Sequence, residues 1–402
     1  MNKPLNAFLL SCLLAFIAGH MVNYSIIFLA LEWFDSHALA GLGYGLCFGP
    51  PIILGWLAGV YCDRYSPRMV ILIAQNSYLV SLTLLMLALS LENSRLPLLL
   101  IAAFFSGVGW SFVAPARFAT LPYYVNSQTI TGATIALNVM VMSGFGLAPL
   151  LVKQLETSIG WHAVFYGATL LFVLSTLLLF PLSFEFKGNR TGSIRQQIRD
   201  SLYVVRQSST LRSLLWLAVI TYLLMGPMQV ILPTIAEQQL QLSPGGQGNY
   251  LSLVAFSLII GGLLAMALKT RLHAGRTMIM TIIIAGTGLG WLAMEQRLGL
   301  SVLTLIGAAL SGGIAISFIV AGLQASAPET FRGRIMSIYS MISQVIPAIS
   351  GVLTGMIAQW FTPVQALVAI GMLIVAFALL AIFLLPDIRR LETLNHAAPA
   401  NR

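Results

Sequence analysis

Apolar residues run along this chain in stretches of about 20, separated by short breaks that are polar or carry Gly and Pro. Twelve stretches stand out, at about 7–30, 38–61, 69–91, 97–115, 131–151, 162–183, 213–234, 248–268, 277–294, 300–322, 336–358 and 364–385. A helix rises ~1.5 Å per residue, so about 20 residues cross a ~30 Å hydrocarbon core. Each stretch is therefore expected to form one membrane-spanning helix. The longest break, 184–212, carries Lys187, Arg190, Arg195, Arg199, Arg206 and Arg212 and divides the spans six and six. The expected layout is an N-terminal six-helix bundle over 1–183, a basic cytoplasmic linker over 184–212, a C-terminal six-helix bundle over 213–386 and a cytoplasmic tail over 387–402. Within the linker, 194–206 reads either as an amphipathic helix on the membrane surface or as solvated chain.

Composition supports an all-α polytopic membrane protein. Charged residues make up 8% of the 402 and hydrophobic residues 58%, whereas soluble domains carry about 25% charged residues. So few charged side chains cannot cover the surface of a soluble domain this long. The three cysteines, Cys12, Cys47 and Cys62, lie in or beside apolar runs without ligand-like spacing, so neither a disulfide framework nor a metal site is expected, and no cofactor is implied. Leu10-Ser11-Cys12 has the look of a lipoprotein signal, but apolar sequence continues to about residue 31, and the segment reads as a first span.

The net charge of +9 changes meaning once the spans are drawn. With both termini in the cytoplasm, 18 of the 21 Lys and Arg fall inside, and only Arg95, Lys153 and Arg297 fall outside. That bias fixes the orientation and explains the basic balance without nucleic acid.

The two halves echo each other weakly. Gly107 to Met140 and Gly312 to Ile342 both place glycines before a Ser-Phe pair, then a proline (Pro122 or Pro328) at a polar turn. Two parallel repeats joined by a basic linker suggest a transporter that rocks one half against the other around a central site.

The strongest motif follows the second span: Gly59-Val-Tyr-Cys-Asp63-Arg64-Tyr-Ser-Pro-Arg68. On chemistry alone it is either a turn carrying topology charges or a functional loop. It resembles the signature loop of the major facilitator superfamily, with Ser66 where that family favours Gly. The resemblance implies a charge network among Gly59, Asp63, Arg64 and Arg68 that stabilises an outward-facing state. The segment after span eight keeps Lys269, Arg271 and Arg276 without an Asp, so the lock is expected to be asymmetric. Two shorter stretches, Pro115-Ala-Arg117 to Pro122 and Ala327-Pro-Glu329 to Arg334 with Arg332, resemble the loops of the siderophore-exporter branch, which includes enterobactin and macrolide exporters. Span five departs from the drug-exporter pattern, because Pro149 is not followed by glycines.

In this superfamily spans one, four, seven and ten line the cavity. Polar groups inside spans are costly and usually mark pathways. Span one supplies His20, Asn23 and Tyr24; span four supplies Trp110 and, near its inner end, Arg117. Span seven supplies Tyr222, Met225 and Gln229, three and four apart, and span ten supplies Phe318 and Gln324. Each aromatic is equally at home in helix packing. His20 is either a proton-linked group or a structural histidine. Arg117 is either an attractor of anionic solutes or a loop anchor. No Asp or Glu stands near the middle of a span, so proton coupling would fall to His20, Glu32, Asp35 or Asp63. Glu329, Arg332 and Arg334 form the second-half loop.

These features suit a secondary exporter, proton-driven by resemblance, of an amphipathic organic molecule. A siderophore is the expected substrate; multidrug or macrolide efflux, import of an organic solute, and a non-transport receptor or lipid enzyme are the alternatives. There is no Walker loop to make ATP the direct energy source. No nucleophile and acid–base pair share one depth, which argues against catalysis. The expected setting is a bacterial inner membrane, with lipid and a small molecule as partners and a monomer as the family default.

Overall fold

The computed structural model describes residues 3–125, 130–180, 194–268, 272–328, 331–385 and 387. It is all α, and twelve of its helical stretches are long and apolar enough to cross a membrane, among the described residues. The chain packs as two units, Met1–Thr191 with Ala236–Ala255, and Gly192–Ile235 with Phe256–Arg402.

In the first unit the helices are α1 (Lys3–Phe34), α2 (His37–Phe48), α3 (Pro51–Arg64), α4 (Pro67–Ser90), α5 (Arg95–Thr120), α6 (Ile130–Ser158) and α7 (Trp161–Leu179). The stretch expected as one helix over 38–61 is broken at Gly49-Pro50, between α2 and α3. Pro50 and Pro51 both lack an N–H, so two successive ladder bonds are missing there. α1 lies at the centre of the unit, packed on α2, α5, α6 and α7. Its contact with α6 depends on Gly144, where a Cβ would sit 2.7 Å from the Phe16 carbonyl carbon. The turn from α6 to α7 passes through Gly160 at φ +105°, a conformation that glycine adopts without steric cost.

In the second unit follow α8 (Ile194–Gln207), α9 (Ser209–Tyr222), α10 (Met225–Val230), α11 (Leu232–Thr234), α12 (Pro244–Leu268), α13 (Ala274–Leu292), α14 (Leu298–Ser326), α15 (Arg332–Trp360) and α16 (Pro363–Leu384). The linker stretch 194–206 thus contains a helix. The expected seventh span, 213–234, is divided among α9, α10 and α11, and a π turn continues it over Ile235–Gln239. Pro227 and Pro233 remove two hydrogen bonds from one short stretch. Single prolines, Pro115, Pro149 and Pro347, sit inside unbroken α5, α6 and α15. Gly226 lets the broken span meet α15, since a Cβ there would stand 2.2 Å from the Gly351 nitrogen. The first turns of α12, with the π turn before them, belong to the first unit, where Gly248 lies against Leu150 of α6.

Candidate functional site

Residues four apart on a helix form a ridge inclined to its axis. On α1 one such ridge reads Phe8, Cys12, Phe16, His20, Tyr24, Phe28 and Glu32, from the inner end to the outer. All but Glu32 are buried. At the inner end Phe8 packs on Tyr124, with the rings tilted and their centroids 5.2 Å apart. Burial pushes the Tyr124 phenol above its usual range, and the nearby Arg68 charge opposes that. In the middle, the His20 ring lies 5.1 Å from Trp110, 5.4 Å from Phe145 and 6.3 Å from Phe48. Tyr24 lies 6.0 Å from Phe145 and 5.8 Å from Phe28. At the outer end the Lys153 ammonium sits 4.8 Å from the Phe28 centroid, and Trp161 donates to Glu32 Oε2 at 3.0 Å.

α5 runs antiparallel to α1, so the contacts form successive rungs. Ser106 donates to Asn23 Oδ1 at 2.6 Å, Trp110 packs on His20 and Phe16, and Arg117 reaches Ser11 and Cys12. Three buried polar atoms on the first two of these rungs, His20 Nε2, Asn23 Nδ2 and Trp110 Nε1, have no hydrogen-bond partner among the described residues.

Arg117 lies within α5 and is fully buried. It donates to Ser11 Oγ at 3.2 Å, Cys12 Sγ at 3.2 Å and Ser175 Oγ at 3.0 Å, with its guanidinium 5.9 Å from the Phe16 ring. Ser11 and Ser175 also bond each other's backbone carbonyls, and Gln75 donates to Ser175. No carboxylate joins this cluster among the described residues. Its donors serve the packing of α1, α5 and α7.

In the second unit the Tyr222 and Tyr339 hydroxyls are 2.7 Å apart, joining the end of α9 to α15. The break after Tyr222 separates it from Met225, which lines a small apolar crevice with Leu224, Met228, Leu258 and Gly312. Gln229 and Phe318 are buried, whereas Gln324 is exposed.

In the loop between α3 and α4, Arg64 is exposed at the end of α3, and Arg68, in the first turn of α4, holds its guanidinium 5.2 Å from the Phe180 centroid. The surroundings of Gly59, the Asp63 side chain and all of Glu329 lie outside the described residues. Arg332 is exposed, and Arg334 packs over Phe331 at 5.3 Å. Asp35 ends α1 with φ 45°, a left-handed conformation that Asp tolerates better than most residues.

Sequence reasoning singles out His20, Tyr24, Trp110 and Glu32 but not Phe16, Phe48, Phe145 or Trp161. The recurrence of aromatic rings every four residues from Phe16 to Phe28 was the available signal for Phe16. The other three come from distant helices and leave none. Among the described residues, no three His, Cys, Asp or Glu side chains gather as a metal site.

A family model described as transmembrane secretion effector matches residues 47–401. An uncharacterised MFS-type transporter of Sinorhizobium fredii is 27% identical over 389 residues, which span 93% of each chain. Several solved structures are similar in fold. A POT family transporter in complex with a thioalcohol-conjugated peptide has a TM-score of 0.76 at 12% identity, with 96% of each chain covered. A bacterial homolog of the human lysosomal transporter Spinster, inward-facing, has a TM-score of 0.75 at 14% identity, covering 99% of this chain and 98% of that one. A nucleoside transporter has a TM-score of 0.74 at 12% identity, covering 96% of this chain and all of the other, 100%. At these identities the likeness is one of fold.

Proposed function

The chain belongs to the transmembrane secretion effector family of the major facilitator superfamily, and from that footing we propose that it exports an amphipathic, largely uncharged organic molecule from the cytoplasm by alternating access. It is a multi-pass secondary transporter of a bacterial inner membrane, moving a small organic molecule rather than transforming it. The observation that carries the finer reading is the aromatic cage around His20, formed by Phe48, Trp110 and Phe145 on three other helices. Rings of this kind favour a ligand with flat apolar faces and a few polar groups. The cage holds no carboxylate that would select a cation.

Broad efflux of drug-like or macrocyclic compounds fits this cage better than siderophore export. A tris-catecholate iron complex carries net negative charge and calls for exposed cations. The buried cation nearest the cage, Arg117, is engaged by Ser11, Cys12 and Ser175. Protons are the proposed coupling ion, with Glu32, Asp35, His20 and Asp63 as candidate carriers, and a monomer is the proposed unit.

The test is transport by purified protein in proteoliposomes under an imposed pH gradient. The panel contains a neutral macrolide, a neutral aryl amide and a catecholate siderophore, and vesicles of both orientations are sorted by accessibility of the C-terminus. Gradient-driven movement of a neutral compound toward the face opposite the termini supports the proposal. Movement of the catecholate alone would restore siderophore export. Movement only toward the cytoplasmic face would make the protein an importer.

A further inference from the structure

Two adjacent rungs between α1 and α5 hold polar atoms that the protein's own groups do not use. His20 Nε2, Asn23 Nδ2 and Trp110 Nε1 are buried without a hydrogen-bond partner among the described residues, and their residues are 4%, 2% and 7% exposed. Buried polar groups are nearly always paired, so three on neighbouring rungs call for a physical reason.

Two of the three atoms are donors only. An indole nitrogen only donates. Asn23 already accepts from Ser106 through Oδ1, so the atom left over is its amide nitrogen, a second donor. His20 Nε2 is able to donate or accept. Phe48 stacks on the His20 ring, and Phe145 meets it edge to face. A ligand group that only donates, such as an ammonium, would meet donors at two of the three atoms, with His20 Nε2 alone able to accept, and would recover little of its lost hydration.

We propose that these rungs bind an accepting oxygen of an uncharged substrate, a ketone, lactone, ester or ether oxygen beside a ring or macrocycle face, and discriminate against ammonium groups. The inference rests on the export reading and names its substrate class. Trp110 and Asn23 supply the donors, His20 packs against Trp110, Phe48 and Phe145, and Ser106 holds the Asn23 amide through Oδ1 and leaves its nitrogen free.

The experiment uses the full-length protein in lipid nanodiscs and three aryl trifluoromethyl diazirines of similar size. Their para substituents are acetyl, isopropyl and ammoniomethyl. Saturable photolabelling is mapped by peptide mass spectrometry. The expected result is labelling of the α1 and α5 peptides by the acetyl probe, roughly fivefold above the isopropyl probe, the worth of one hydrogen bond. Trp110→Phe keeps a smaller aromatic face and removes the donor, so it should bring the ratio of acetyl to isopropyl labelling to about one, whatever the absolute labelling by either probe. Asn23→Asp keeps Oδ1 for Ser106 and should turn the preference toward the ammoniomethyl probe. Equal labelling by the acetyl and isopropyl probes, or a preference that neither monodisperse variant alters, overturns the proposal. Efflux of the acetyl compound from proteoliposomes in the dark reports separately on export. Efflux without the labelling preference removes the site and keeps the transporter reading, and the preference without efflux does the reverse.

Discussion

Trp161 donates its indole N–H to Glu32 Oε2 at 3.0 Å, tying the first turn of α7 to the outer end of α1. Lys153 stands 3.6 Å from Glu156 in the same region, and Glu156 and Glu237 both act on the Glu32 carboxylate through space. A carboxylate with two acidic neighbours and one ammonium nearby is suited to exchange a proton as its surroundings move. Glu32→Gln keeps an amide oxygen for Trp161 and removes the charge. Efflux should continue but no longer accelerate under an inwardly directed proton gradient, measured in proteoliposomes. A gradient response equal to wild type would remove Glu32 from coupling.

Arg117 is a charge buried among hydroxyls and a thiol, and Ser11 and Ser175 already bond each other's carbonyls. Replacing a buried charge by an apolar group of similar volume is often neutral or stabilising. Arg117→Met should therefore leave thermal stability within about 1 kcal/mol of wild type or raise it. Arg117→Ala leaves a cavity and should lower stability by roughly 2–5 kcal/mol. Thermal unfolding in detergent distinguishes them; equal losses in both variants would show that the charge itself holds the three helices.

Asp63 belongs to the loop whose pattern resembles the superfamily signature. Asp63→Asn should slow turnover on the order of tenfold, within the usual range of a coupling free energy, while membrane abundance stays at the wild-type level. Initial efflux rates at matched abundance provide the check. Unchanged rates would leave the loop as a topology element only.

Much of this architecture is legible in the sequence because lipid imposes length and charge rules on every span. The breaks are less legible. A hydropathy window passes smoothly over Pro50-Pro51 and over Pro227 and Pro233, although the missing N–H groups divide those spans. His20, Tyr24 and Glu32 stand out in span one as polar groups in an apolar run. Their partners Phe48, Phe145 and Trp161 arrive from other helices, and a local pattern carries no record of which distant ring meets which. Arg117 shows the same limit: its position near a loop suggests an anchor or a solute contact, and only the packing of α1 and α7 reveals the hydroxyls around it.

Gly248 marks a close seam inside the first unit. A Cβ there would stand 3.0 Å from both the Leu150 Cα and the Pro149 oxygen, and 3.2 Å from the Lys153 Cβ. Backbone cannot yield as a flexible side chain does, so Gly248→Leu should pry the start of α12 from the outer end of α6. In a background lacking Cys12, Cys47 and Cys62, a cysteine at Gln154 should then react faster with a membrane-impermeant maleimide, and efflux should fall. An unchanged labelling rate would mean that the seam tolerates the side chain.

The Tyr222–Tyr339 contact sits where the seventh span stops being a single helix. Their hydroxyls are 2.7 Å apart, and α9 ends at Tyr222 before the chain resumes as α10. Each phenol bonds the other, and Tyr222 also bonds Ser343, so either single removal loses the shared bond and removing the second hydroxyl loses it no further. Tyr222→Phe and Tyr339→Phe should each cost about 1 kcal/mol of stability. The double variant should cost no more than either single one, giving a coupling energy of about 1 kcal/mol in a double-mutant cycle. Thermal unfolding of the four proteins in the same detergent measures it. Additive losses would show that the hydroxyls act independently, and that the broken span is held to α15 by the Gly226 contact with Gly351 instead.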